Sequence, residues 1–418
     1  MCVLAAILAA PVRAQEAPAG DGSTPLHWAA YRDDVAGVDR LVRGGADVNA
    51  ANDLGATPLW AASLQGNAAV VERLLDAGAN PNLALLSGET PLMAAARAGK
   101  RDTVEALLAK RADPNARATR GQTALMWAVA QKHADVVRVL IAAGADVHAR
   151  SERWSQMMAV PPHGLPEYNR MIPHGGDTAL MFAARAGDLV SAQLLLDAGA
   201  RADDLDAWGV SATTMAAFAG HGAIAQALLA RGANPNAGEA GFAALHCAIM
   251  RRDEATVAAL LARGADPNVP VAVWTPTRRS SDDYHFMPAL VGATPFWLAA
   301  RFTEPGIMRL LAAHGADPKV VHESKYVQGE GYQRRHERTT AVMAALGMGG
   351  GTAWSALERS ERDARIIETV KLAVELGADI SAAGTDGRTA LDSARAQKYD
   401  AVAAFLEEKG ARAGTVAP

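Results

Sequence analysis

The stretch from Thr57 to Asn82, TPLWAASLQGNAAVVERLLDAGANPN, contains a pattern that recurs through most of the 418-residue chain. Thr57 is a good helix N-cap, because its hydroxyl accepts a hydrogen bond from a free backbone N–H of the first turn. Pro58 suits the first helical position, where its missing N–H costs nothing. Gly78 can take the left-handed conformation that ends a second helix. The stretch therefore predicts two short helices closed by a glycine turn.

Two landmarks in this pattern repeat at a fixed spacing. Similar starts lie at Thr24, Thr90 and Thr123, each 33 residues from its neighbour in the series. A Gly-Ala-Asp or Gly-Ala-Asn landmark follows 23 residues after each start, with Arg111 in place of the glycine in the third unit. Further starts lie at Thr178, Ser211, Ala243, Thr294, Thr340 and Thr389. One helix pair cannot bury its own apolar faces, so the units must stack.

The two landmarks resemble the ankyrin repeat, whose signature is T-P-L-H-x-A-A followed by L-L-x-x-G-A-D-x-N. The resemblance covers about residues 20–412. It implies an all-α repeat solenoid of about ten helix-turn-helix units, each followed by a hairpin-like turn. It also implies an extended surface rather than a deep pocket, which favours binding of another protein. His27 and His246 stand at the histidine position of the signature and are predicted to form structural hydrogen bonds.

Insertions interrupt the regular spacing in four places. Three lie near residues 150–175, 269–291 and 319–338, between one Gly-Ala-Asp landmark and the next start. We call them the first, second and third fingers, and we expect them on the same side because the inter-repeat turns of a stack line up along one edge. The fourth insertion, near residues 346–363, separates the two helices of the ninth unit and should lie on the opposite edge.

The fingers are rich in residue types that are scarce in the repeats. Trp, Tyr and Arg dominate the hot spots of protein interfaces, and loops on a rigid scaffold often carry binding residues. Arg334 and Arg335 accompany the aromatic residues of the third finger. The fingers are therefore predicted to recognise a partner, although their aromatic side chains could instead fold down and cover the groove. The candidates are Trp154, Tyr168, Trp274, Arg278, Tyr284, Phe286, Tyr326 and Tyr332.

A second candidate surface comes from the geometry of ankyrin stacks. Positions seven and eight residues after the capping residue face the concave side in such stacks, and here arginines and aromatic residues predominate there. The alternative is an ordinary solvated face with a few apolar groups. The protein-binding candidates on this surface are Tyr31, Arg32, Arg97, Arg185, Phe218, Met250, Arg251, Arg301 and Phe302.

The sequence contains no motif that favours catalysis. It has no H-E-x-x-H, G-x-S-x-G or G-x-x-x-x-G-K-[ST] pattern. We therefore expect a non-enzymatic protein without a cofactor. The alternative is a ligand- or metal-binding solenoid, in which soft thioethers and imidazoles of the first finger bind copper. The residues that could do so are Met157, Met158, His163, Met171 and His174.

The first 14 residues are predicted to be the remnant of a signal peptide, followed by a linker at 15–20, the repeats at 21–412 and a tail at 413–418. The run from Cys2 to Val12 is apolar but too short to span a bilayer. This indicates export, to the periplasm of a bacterium or beyond; the alternative is an apolar helix packed on the first repeat. The net charge of −4 argues against nucleic acid as the partner. We expect a monomer without a membrane span in the mature chain.

Overall fold

The computed structural model describes residues 20–158, 169–275, 286–328, 333–350 and 358–415. By its contacts the chain divides into two compact units, Met1–Asp146 and Val147–Pro418. The predicted signal segment and the end of the tail, residues 416–418, lie outside the described residues.

The described residues of the first unit contain four pairs of α-helices. Within it, first helices pack on first helices and second helices pack on second helices. The pairs are α1 Pro25–Tyr31 with α2 Val35–Arg43, α3 Pro58–Gln65 with α4 Ala68–Asp76, α5 Pro91–Arg97 with α6 Arg101–Ala109, and α7 Ala124–Ala130 with α8 Ala134–Ala142.

The described residues of the second unit continue the same alternation and add four strands. Its helices are α9 Ala179–Ala186, α10 Leu189–Asp197, α11 Ala212–Ala219, α12 Gly222–Ala230, α13 Ala244–Met250, α14 Glu254–Ala262, α15 Pro295–Arg301, α16 Pro305–Ala313, α17 Ala341–Ala345, α18 Arg359–Glu375, α19 Ala390–Ala396 and α20 Asp400–Glu408. The strands are β1 Trp154–Met158, β2 Arg170–His174, β3 His322–Gln328 and β4 Gln333–Thr339.

The first helices begin where the capping residues predict. The Thr57 hydroxyl accepts a hydrogen bond from the backbone N–H of Trp60 at 3.2 Å, and Thr123 accepts one from Met126 at 3.3 Å. The α-helix that follows each cap buries one apolar face; Leu59 and Ala62 are both fully buried. The fold is therefore an all-α repeat solenoid in each unit.

Asparagine side chains link adjacent repeats through a pair of hydrogen bonds. The Asn49 amide donates to the carbonyl of Gly78 at 3.3 Å, and its oxygen accepts from the backbone N–H of Asn80 at 2.8 Å. Asn268 makes the same pair of bonds in the second unit, to Gly315 at 2.9 Å and Asp317 at 2.8 Å, although the second finger lies between the partners. The insertion thus leaves the register of the repeats intact.

Two fingers differ from the expected loops by forming small antiparallel sheets. β1 pairs with β2 in the first finger, and β3 pairs with β4 in the third. Each finger leaves and re-enters the stack at nearby points, so its two arms run antiparallel and can satisfy each other's backbone groups. The second finger has no strand among its described residues. Its arms are joined by a hydrogen bond from the N–H of Thr275 to the carbonyl of Phe286 at 2.9 Å.

The two histidines of the signature are structural, as predicted. His246 lies fully buried below Ala243, a residue whose side chain cannot cap α13. Its Nδ1 accepts from the N–H of Ala243 at 3.0 Å, while its Nε2 donates to the carbonyl of Val269 at 2.8 Å. His27 holds the backbone of Thr24 and Ala56 in the same way.

Arg111 is predicted to destabilise the third repeat. It has a φ of 65°, in the left-handed region, and its side chain is exposed. The Arg111→Gly variant should be more stable by up to about 1 kcal/mol, measured by chemical denaturation, because glycine takes this conformation without strain. Gly144 occupies the equivalent place with a φ of 85° and open space around its α-carbon. Gly144→Arg should therefore lose a similar amount; a lower stability of Arg111→Gly would contradict the prediction.

Stability is predicted to fall in mild acid through His246. Burial lowers the pKa of His246 to about 4, from an ordinary 6.5. Its contribution is complete above pH 6.5 and is lost as the pH falls toward 4, because the unfolded chain binds the proton first. The loss is on the order of 3 kcal/mol.

The His246→Gln variant isolates this effect. Wild-type protein should be more stable than the variant at pH 7. The difference between their free energies of unfolding should shrink as the pH falls to 4. The matched variant His314→Gln changes an exposed histidine and should not reproduce this narrowing. A difference between wild type and His246→Gln that is independent of pH would contradict the assignment.

Candidate binding site

Arginines stack on aromatic rings along the first helices of the first unit. The guanidinium of Arg32 lies 5.6 Å from the ring centroid of Trp28, and Tyr31 meets the same ring edge-on at 6.3 Å. Arg97 lies 5.4 Å from the ring of Trp127. Tyr31 is 47% exposed. The predicted candidates Tyr31, Arg32 and Arg97 therefore lie on an accessible surface that also contains two tryptophans.

The second unit repeats this arrangement. Arg185 lies 5.9 Å from the ring of Phe182, and Arg251 lies 5.2 Å from the ring of Phe218. Met250, beside Arg251, is half-buried. We call the arginine–aromatic pairs of the two units the first-helix surface. Each stacked arginine keeps its charge accessible while its planar group is held against a ring.

Ion pairs hold two of these arginines in place. An Arg97 amino group lies 2.8 Å from the Glu89 carboxylate, and one of Arg185 lies 3.0 Å from that of Asp177. Burial raises the pKa of Glu89, while the charge of Arg97 opposes that shift. The arginines are thus oriented before any partner arrives.

The sequence analysis missed Trp28, Trp127 and Phe182. All three lie four residues after a capping threonine, at Thr24, Thr123 and Thr178. Trp28 and Phe182 come three or four residues before Arg32 and Arg185, about one helical turn. Trp127 lies on α7 and contacts Arg97 of the neighbouring α5. The spacing from the cap was the signal that could have identified them.

Arg301 and Phe302 are corrections to the predicted groove. Arg301 is only 3% exposed and Phe302 only 7%. The Arg301 guanidinium donates to the carbonyls of Met348 at 3.2 Å and Gly350 at 2.8 Å. The described start of the fourth insertion therefore occupies the position where a partner was expected.

Phe286 and Tyr326 are also buried and therefore not accessible to a partner. Phe286 is fully buried, with its ring centroid 4.7 Å from that of Phe242 and 6.3 Å from that of His246. Tyr326 is 7% exposed. Its hydroxyl packs so closely against Gly350 that a side chain at that position would overlap it. Burial raises the pKa of Tyr326, helped by the Glu337 carboxylate. These two side chains are therefore part of the packed interior and are not accessible to a partner.

The first finger separates the side chains proposed for copper. The register pairs Met157 with Met171, and both are more than half exposed on one face of the hairpin. Met158 and His174 lie on the other face, where His174 stacks on Trp154 at 4.3 Å. The described part of the chain holds no group of three His, Cys, Asp or Glu side chains that could bind a metal.

Several candidates of the sequence analysis lie outside the described residues. They are Tyr168, Arg278, Tyr284 and Tyr332, together with His163 of the proposed copper set.

Side chains from all three fingers meet around one open cleft of about 550 Å³. Arg170 of the first finger lies 5.1 Å from the ring of Trp274 in the second. The third finger supplies most of the remaining wall. We call this space the finger cleft; it is lined by Arg170, Trp274, Pro288, Val291, Lys325, Tyr326, Val327, Arg334, Arg335 and His336. The fingers thus share one side, as their common place in the repeat predicts.

A family model described as "Ankyrin repeats (3 copies)" matches the chain three times, at residues 3–84, 81–151 and 180–271. These matches cover more than half of the chain. The chain belongs to the ankyrin repeat family. The first match begins inside the segment predicted to be a signal peptide, and that prediction stays open.

The ankyrin repeat domain of human ASB11, known from a crystal structure, is similar to part of this ankyrin repeat protein. The two chains are 24% identical, the similarity covers 59% of this chain and 100% of that one, and the TM-score is 0.47. No curated protein matches the chain. Within the described ranges, no helix is both long and apolar enough to cross a membrane.

Phe286 is predicted to stabilise the second finger. Phe286→Ala should cost about 3–5 kcal/mol, because it removes a fully buried ring and leaves a cavity between Phe242 and His246. Thermal and chemical denaturation measure the loss. Met157→Ala, which truncates an exposed side chain of the first finger, should change the stability by less than about 0.5 kcal/mol. Equal effects of the two variants would contradict the packing described for Phe286.

Proposed function

We propose that this ankyrin repeat protein is a non-enzymatic scaffold that binds another protein through its first-helix surface and its fingers. Ankyrin repeats are generally protein–protein interaction modules, which is the general basis for the proposal. The observation that carries it is the recurrence of arginines stacked on aromatic rings at four places on the first helices.

Two physical properties make these pairs suitable for a protein partner. Trp, Tyr and Arg contribute most of the binding energy in interfaces. An arginine that already lies on a ring, or is held by an acidic side chain as Arg97 and Arg185 are, loses less side-chain freedom when it binds. Within each unit the pairs lie on successive helices rather than in an enclosed pocket, which favours a macromolecule over a small ligand.

The alternative, a solenoid that binds a ligand or copper, has less support. The hairpin register places Met157 and Met171 on the face opposite Met158 and His174, so these donors do not converge. Export to the periplasm of a bacterium, or secretion, is part of the proposal and rests on the apolar run from Cys2 to Val12. A monomer is the form we propose for the free protein.

The proposal is tested by purifying the tagged full chain from its native host under gentle cross-linking. We expect a stoichiometric polypeptide partner whose affinity falls at least about tenfold in the Tyr31→Ala/Arg32→Ala variant, since a hot-spot residue contributes more than about 1 kcal/mol. Both side chains are exposed, so the variant should fold normally.

The matched control is Arg40→Ala/Arg138→Ala, which removes two exposed arginines from second helices. It should bind the partner as wild type does. Equal binding by both variants would show that the first-helix surface is not used. Stoichiometric copper without a polypeptide would favour the alternative.

A further inference from the structure

The described charged side chains that line the finger cleft are all basic. Its described lining includes four permanently charged side chains, Arg170, Lys325, Arg334 and Arg335, together with His336. None of the described residues that line it is acidic. The cations come from two different fingers, the first and the third, and Trp274 of the second finger also lines the cleft.

These cations have no acidic partners among the described residues. No described carboxylate lies within ion-pairing distance of Arg170, Lys325, Arg334 or Arg335. Some arginines elsewhere in the same unit have acidic partners: Arg309 pairs with Glu368 at 2.8 Å, and Arg365 pairs with Glu304 at 3.2 Å. The whole chain carries a net charge of −4. The positive charge of the cleft is therefore a local property, and such a concentration attracts an anion.

Two of the guanidinium groups are oriented by neighbours that leave the charge uncompensated. Arg170 lies over the Trp274 ring at 5.1 Å. Arg335 donates to the side-chain oxygen of Gln333 at 2.8 Å. Neither contact neutralises the arginine. A guanidinium fixed in this way retains N–H groups in the fork geometry that matches a carboxylate.

The shape of the cleft favours an extended chain over a compact ligand. Sites for small molecules enclose most of the ligand's surface, whereas the described residues around this cleft enclose it only in part. Its apolar lining from Pro288, Val291 and Val327 can contact the aliphatic parts of a peptide. Four cations require several negative charges, which a peptide with successive Glu or Asp residues supplies.

We propose that the finger cleft binds an acidic peptide segment of the partner protein. The inference rests on the proposed protein-binding function, to which it adds the chemistry of the recognised segment. Carboxylates of the segment pair with Arg170, Lys325, Arg334 and Arg335, and its backbone runs past Trp274 between the fingers.

The test uses the full chain and a fluorescein-labelled ten-residue peptide of alternating Glu and Ser, with a Gln/Ser peptide of equal length as the neutral control. Fluorescence anisotropy should show that the Glu/Ser peptide binds at least about tenfold more tightly and that its affinity falls as salt rises from 50 to 200 mM. Equal binding of the two peptides, or no binding of either, would overturn the inference.

Matched variants locate the site. Arg334→Ser/Arg335→Ser should weaken binding of the Glu/Ser peptide at least about tenfold, while Arg138→Ser/Arg263→Ser should stay within about twofold of wild type. All four arginines are exposed, and an unchanged denaturation midpoint confirms that each variant is folded. An equal loss in the two double variants would show attraction to the surface in general and overturn the assignment.

Inorganic pyrophosphate is the competing ligand. It should displace the Glu/Ser peptide only weakly; tight binding of pyrophosphate in preference to the peptide would mark a small-anion site and overturn the peptide assignment. The peptide assay does not depend on the native partner. If the peptide does not bind but the partner is still captured through Tyr31 and Arg32, only the proposal for the cleft is rejected. If the peptide binds but the Tyr31→Ala/Arg32→Ala variant captures the partner as wild type does, only the proposed first-helix surface is rejected.

Discussion

Burial of the first helices between their neighbours is the constraint on which the rest of the structure depends. These helices have five to eight residues, too few to be stable alone in water. α3 shows the consequence, because Leu59 and Ala62 are fully buried only through contact with the repeats on both sides. A residue inserted within such a helix would disturb both neighbours. The insertions therefore lie outside the first helices.

That confinement explains why the binding features of the second unit gather where they do. The three fingers leave the stack at equivalent turns, so side chains that are distant in sequence, such as Arg170, Trp274 and Arg334, line one cleft. The fourth insertion leaves between two helices instead, and its described start is tied down by Arg301. The repeats set where each insertion emerges, and the insertion's own residues decide whether it packs back or stands out.

The repeats were predictable because their chemistry is local. A threonine cap, a proline at the first helical position and a glycine with positive φ act within a few residues, and Thr57, Pro58 and Gly78 all have the predicted conformations. The exposed pairs around Arg32 and Arg97 were predicted in part. The sequence analysis identified the two arginines from their position in the repeat, but it did not identify the tryptophans on which they stack.

The buried candidates could not be recognised from sequence for a different reason. Arg301 and Phe302 stand at groove positions but are buried, and Arg301 is held by carbonyls of an insertion in another repeat. Phe286 and Tyr326 resemble interface aromatics until the fingers are seen folded. Arg170 and Lys325 were missed because no sequence motif surrounds either residue. They lie near other cations only because the fingers come together in the fold.

The asparagine bonds between repeats have a consequence for the cost of inserting a finger. Asn49 reaches a partner 29 residues away, and Asn268 reaches its partner 47 residues away with the same two bonds. Closing the longer loop costs only about 0.4 kcal/mol more, because the entropy of closure grows with the logarithm of loop length. That is less than a single net hydrogen bond contributes. Finger length is thus nearly free of thermodynamic selection, whereas finger residues that pack against the repeats, such as Phe286, are constrained by that packing.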